Sequence, residues 1–130
     1  VNSFVLDSSA LLALVKDEPG ADFVLSVLPR SVLSTVNLAE VVAKLSDLNL
    51  PLVPLDATLA EANVEIVAFT QSQARLSGEL RSQTRKRGLS LGDRACLALA
   101  LERGLTAVTA DAAWVGATDA AVKLIRPLTP

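Results

Sequence analysis

Short apolar runs of strand length alternate with longer segments of helical periodicity, and this alternation limits the chain to few folds. Phe4 to Leu6 reads as a buried strand. Ser8 to Lys16 reads as a helix that Glu18-Pro19-Gly20 breaks. Ala21 to Leu28 reads as a second helix, with Phe23, Val24, Val27 and Leu28 on one face. Val32 to Ser34 is a short strand. Asn37 to Leu48 is a helix with apolar Leu38, Val41, Val42, Leu45 and Leu48. Leu52 to Leu55 reads as a third extended piece. Thr58 to about Leu76 reads as one long helix carrying Leu59, Ala62, Ile66 and Phe69. Ser77 to Lys86 reads as polar, helical and exposed. Leu91 to Arg103 is a helix closed by Gly104. Thr106 to Thr109 is a strand, and Leu124-Ile125 another.

Continuous apolar strands separated by helices specify a parallel sheet covered on both faces. The expected fold is a three-layer α/β/α sandwich with a central parallel sheet, formed as one domain over residues 1–130. In such sheets ligands bind beyond the carboxyl ends of the strands.

Four acids stand where helices should begin. Asp7 follows the strand Phe4-Val5-Leu6, and Asp111 follows Ala107-Val108-Thr109-Ala110. Glu40 and Asp93 sit in the first turns of helices, in Asn37-Leu38-Ala39-Glu40 and Ser90-Leu91-Gly92-Asp93. Each alone has a local explanation. Asp7 can cap the helix from Ser8, and Asp111 can cap a turn through Ala112-Ala113-Trp114. Asn37-x-x-Glu40 and Ser90-x-x-Asp93 fit capping boxes. Gathered in one pocket, the four would repel strongly, with only partial relief from helix N-termini. Either some remain protonated or cations bind. All-oxygen sites of this kind suit Mg²⁺ or Mn²⁺. Two such ions about 3.5–4 Å apart activate water and stabilise the leaving oxygen of a phosphodiester. Ser9, Asn37 and Thr109 flank three of the acids and are placed to orient carboxylates or ordered water; local backbone hydrogen bonding is their ordinary alternative.

The chain contains no histidine. That excludes a Ser-His-Asp or Cys-His mechanism and any His-bound metal. The lone Cys96 has no partner for an internal disulfide and lies in the apolar stretch Ala95 to Leu99, so it reads as packing in a reducing compartment. No apolar run approaches the roughly 20 residues of a membrane helix, and the first residues lead straight into a strand, so a soluble, cytoplasmic protein is expected. Net charge is −2, so bulk charge does not advertise nucleic acid. The basic residues are uneven, however. Arg75, Arg81, Arg85, Lys86 and Arg87 crowd one stretch and Arg94 follows, a candidate RNA-binding patch whose alternative is a solvated helix face. Trp114 is expected in the core rather than stacked on a base.

These features together resemble the PIN-domain family, and within it the VapC-type toxin ribonucleases. The matching stretches are Val5-Leu6-Asp7-Ser8-Ser9-Ala10, Glu18-Pro19-Gly20 and Leu33 to Val41 with Asn37 and Glu40. Leu89 to Ala100 with Asp93 and Ala107 to Trp114 with Asp111 complete the match. The resemblance implies a parallel sheet flanked by helices and metal-dependent endonucleolytic cleavage of RNA. By position, Asp7, Glu40, Asp93 and Asp111 match the family's acidic cluster, and Ser9 and Thr109 match polar residues beside it. It further implies a homodimer, and a cognate antitoxin that wraps the toxin and blocks its site. Some members carry a further acid soon after the fourth; here the next is Asp119, eight positions on, which reads as a loop residue.

The sequence thus points to a ribonuclease toxin that uses Mg²⁺ (or Mn²⁺) held by Asp7, Glu40, Asp93 and Asp111 to activate water. A non-enzymatic protein-binding domain with a degenerate acidic site is the main alternative. An aspartyl-phosphate phosphotransferase of the haloacid-dehalogenase type is another, with Asp7 as nucleophile; that family's motif has a second Asp two residues on, where Ser9 stands.

Overall fold

The computed structural model describes residues 1–126. Its five strands are β1 (Phe4–Leu6), β2 (Ser31–Ser34), β3 (Glu65–Val67), β4 (Thr106–Thr109) and β5 (Val122–Leu124). All pair in parallel, in the order β3-β2-β1-β4-β5. The α-helices among the described residues are α1 (Ser8–Val15), α2 (Ala21–Val27), α3 (Thr35–Asp47), α4 (Val53–Glu61), α5 (Gln71–Glu79), α6 (Arg81–Thr84) and α7 (Leu91–Arg103). Side chains alternate across the strands and divide the core in two. Leu6, Leu33 and Val108 face α1, α2, α3 and α4, where they meet Leu11, Val24, Val41, Leu45 and Leu55. Val5, Val32 and Ala107 face the other way, against Leu97, Leu99 and Trp114. This is the α/β/α sandwich read from the sequence.

The middle of the chain differs from the sequence reading. Leu52 to Leu55 is not extended: Pro54 occupies the first turn of α4, where a missing N–H costs nothing. The long helix expected over Thr58 to Leu76 is three elements. It stops at Glu61 because Asn63 turns left-handed, at φ 54°. Asn63 N–H then donates to Ala60 O and Val64 N–H to Leu59 O, the paired closure that ends a helix. Ile66 therefore lies in β3. Thr70 restarts the helical path as the cap of α5, accepting from Gln73 N–H at 3.2 Å.

The stretch from Ser77 to Lys86 is helical in part but not exposed throughout. It passes from α5 through α6 into a 3₁₀ turn at Arg85–Arg87. Ser77, Leu80 and Thr84 form a buried stripe at helical spacing beneath its charged residues. Helix α3 begins at Thr35 rather than Asn37, capped by Ser34 Oγ, which accepts from Val36 N–H at 3.2 Å. The last strand ends at Leu124, one residue before Ile125. Among the described residues no helix is long and apolar enough to cross a membrane.

Candidate metal centre

From β1 the chain builds outward through β2 and β3, then returns to place β4 on the other side of β1. The order reverses between β1 and β4, so the connections diverge and leave a crevice past their carboxyl ends. Asp7 stands at that point. Its N–H continues the strand ladder, donating to Val108 O at 2.9 Å, and its carbonyl accepts from Ala10 and Leu11 N–H to start α1. The side chain makes no capping bond. Instead Asp7 Oδ2 accepts from Ser9 Oγ at 2.6 Å and from Thr109 Oγ1 at 3.0 Å, while Ser8 Oγ lies 3.4 Å from Oδ1.

Both hydroxyls also accept. Ala110 N–H donates to Ser9 Oγ at 2.9 Å, and Asp111 N–H to Thr109 Oγ1 at 3.1 Å. Ser9 and Thr109 thereby tie the Asp7 carboxylate to the loop that carries Asp111. Asp7 is 2% exposed. Burial pushes its carboxyl up to about 6, helped by the charge of Asp93 and opposed by the Ser9 and Thr109 hydroxyls.

Helices α3 and α7 bring the other two acids, because a crossover helix runs back against the strands and starts at their carboxyl edge. Glu40, half-buried on α3, accepts from Asn37 Nδ2 at 3.0 Å. The same amide donates to Gly92 O on α7 at 3.1 Å. Asn37-x-x-Glu40 is thus a link between two helices and not a capping box. Ser90-x-x-Asp93 is one: Ser90 N–H donates to Asp93 Oδ2 at 2.8 Å, and Asp93 N–H to Ser90 Oγ at 3.2 Å. Burial raises the Asp93 carboxyl, the Ser90 bonds oppose it, and the charges of Asp111 and Glu40 add to the rise. Asp111 is exposed and caps the 3₁₀ turn Ala112–Trp114, accepting from Ala113 N–H at 2.9 Å.

The four acids therefore share one electrostatic neighbourhood with Asp93 at its middle. Asp93 acts on Asp7, while Glu40 and Asp111 act on Asp93. The fully buried Cys96 thiol is pushed far up by its burial and then by the charges of Asp7, Asp93 and Glu40, so it is a neutral packing group. Among the described residues none of the four acids is paired with Lys or Arg; the ion pairs are Lys16–Glu18, Arg103–Glu65 and Arg126–Glu18. As the side chains stand, no three Asp, Glu, Cys or His residues among the described residues are grouped so that they could hold a metal ion. The case for a cation rests on the donor chemistry: oxygens without a Lys or Arg partner among the described residues suit a hard ion that retains several waters.

The basic candidates divide. Arg75, Arg81, Arg85 and Lys86 are exposed. Arg87 donates to the carbonyls of Ala113 and Val115, clamping the turn behind Asp111. Arg94, half-buried, donates to Ser77 O at 2.9 Å and ties α7 to α5. Trp114 is fully buried, as the sequence suggested. Gly92 was not legible as a site residue; its only signal is a glycine in the first turn of a helix, ahead of an acid.

Solved structures of the same fold are known. A chain of a toxin–antitoxin complex from Klebsiella pneumoniae superposes with a TM-score of 0.73 at 21% identity, covering 97% of this chain and 100% of that one. VapBC2 from Rickettsia felis, bound to a DNA fragment from its promoter, gives 0.72 at 21% identity over 93% and 97%. Mycobacterium tuberculosis VapC20, a sarcin-ricin loop cleaving toxin, gives 0.68 at 17% identity over 88% and 95%. No curated protein sequence matches closely enough to carry an argument. The PIN domain family model matches residues 4–118, from β1 past the turn that Asp111 caps. With that match spanning most of its length, the chain belongs to the PIN-domain family.

Proposed function

We propose that this chain is a divalent-metal-dependent endoribonuclease and the toxin of a toxin–antitoxin pair. The observation that carries the reading is Asp93 beside the sheet's switch point, within electrostatic reach of Asp7, Glu40 and Asp111, with no Lys or Arg partner for any of the four among the described residues. Asp7, Glu40, Asp93 and Asp111 would hold Mg²⁺ or Mn²⁺, directly or through water. When bound, the ion supplies an activated water and a charge that stabilises the phosphodiester's leaving oxygen. The chain's own residues prepare for it. Ser9 and Thr109 aim the Asp7 carboxylate, Asn37 holds Glu40, and the start of α7 tempers the charge of Asp93.

The exposed Arg75, Arg81, Arg85 and Lys86 offer contacts for RNA phosphates, and the description of VapC20 as a sarcin-ricin loop cleaving toxin supports RNA as substrate. The antitoxin partner is supported by the toxin–antitoxin complexes that share the fold. It is also supported by an apolar groove of about 380 Å³ lined by Leu11, Leu14, Val15, Leu25, Leu50 and Leu55 among others. We place the protein in the cytoplasm, as one domain and as a homodimer, on the family likeness.

Replacing Asp7 with Asn removes the charge and keeps an acceptor for both hydroxyls. RNA cleavage in Mg²⁺ should fall at least about 100-fold, with circular dichroism unchanged. Wild-type cleavage by that variant would remove the reading. The capping bonds of Asp93 and Asp111 favour a second reading, a partner-binding domain whose acids serve only the helix starts. Calorimetry showing no metal binding, with unchanged stability of Glu40→Gln, would support it instead.

A further inference from the structure

Gly92 has an ordinary backbone conformation, so it is not there for flexibility. A glycine inside a helix weakens it relative to alanine. Its use is space. A Cβ on Gly92 would overlap the Glu40 carboxylate, meeting Oε2, Cδ and Oε1 at once. The Glu40 side chain therefore lies directly against the first turn of α7, in a berth that only glycine leaves open. The fully buried Asn37 closes that berth. Its Nδ2 donates to Glu40 Oε1 and to Gly92 O, and since both partners only accept, the amide orientation is fixed.

We propose that Gly92 and Asn37 are positioning residues that seat the Glu40 carboxylate beside Asp93. Their consequence for metal rests on the function proposed above; the seating itself does not. The three atoms nearest a Cβ at position 92 all belong to the far end of the flexible Glu40 side chain, so the helix keeps its path and the carboxylate must swing out.

The test uses metal-free protein with ¹³C-labelled Glu carboxylates, the Glu40 signal being assigned by its loss in Glu40→Gln. In Gly92→Ala the Glu40 resonance should move while the remaining Glu signals stay, and the melting temperature should not fall. An unmoved Glu40 resonance overturns the proposal. Asn37→Ala, which removes the tether together with its bond to Gly92 O, is read the same way if Gly92→Ala does not fold. Mn²⁺ titration by calorimetry then separates the two claims. Weakening of roughly 10- to 100-fold in Gly92→Ala supports the positioning role. Wild-type Mn²⁺ affinity in that variant overturns it. A moved Glu40 resonance in a protein that binds no Mn²⁺ supports the seating and refutes the metal reading.

Discussion

At Asp7 the sequence already shows an acid after an apolar strand, but not which way its side chain turns. The local rule favours a cap on α1; the structure spends the carboxylate on Ser9 and Thr109 instead, and buries it. Burial is a tertiary property, and only the fold supplies it. Its consequence is measurable. The Asp7 carboxyl sits at about 6 in the folded protein against 3.8 ordinarily, so between these values the folded state holds a proton that the unfolded chain releases. That contribution is full below the lower value and is lost as pH rises through the upper one. Asp7→Asn is neutral throughout. Urea melts of the metal-free proteins should find the variant more stable above pH 6 by about 3 kcal/mol, with the gap closing toward pH 4. A gap independent of pH contradicts burial as the cause.

At the scale of elements, legibility followed the source of each signal. Phe4 to Leu6, the Gly104 stop of α7 and the Ser90 cap are set by neighbours in sequence, and all stand as read. The region from Leu52 to Leu76 was misread because its apolar residues keep helical spacing across a break. Asn63 ends the helix through a left-handed turn that periodicity does not register, and pairing with β2 then draws Glu65 to Val67 into the sheet. The site lies at helix starts, where a local role and a joint one share the same atoms. Asp93 shows this: one oxygen closes the cap of α7, yet the residue also feels Glu40 and Asp111. Ser90→Ala should therefore lower stability by about 1 kcal/mol in denaturant melts. A change under a few tenths would mean that the reciprocal bonds contribute little to α7.

At the scale of the molecule, the two proposed functions use different places. The acids stand at the carboxyl edge between β1 and β4, whereas the apolar groove lies among α1, α2, α3 and α4. The basic residues of α5 and α6 belong to the opposite layer, where α5 packs on α7. The apolar groove and the exposed basic residues therefore lie in different layers of the sandwich. What the sequence alone could not supply was convergence: four acids spread over about 100 positions become neighbours only when the sheet order reverses beside β1. Whether these acids serve a cation can be seen by anomalous diffraction from crystals grown with Mn²⁺. A manganese peak should stand at the crevice, bounded by the carboxylates of Asp7, Glu40, Asp93 and Asp111, and be lost in Asp93→Asn. Ordered manganese elsewhere, or a crevice without a peak while the same crystals bind Mn²⁺ at other carboxylates, would contradict it.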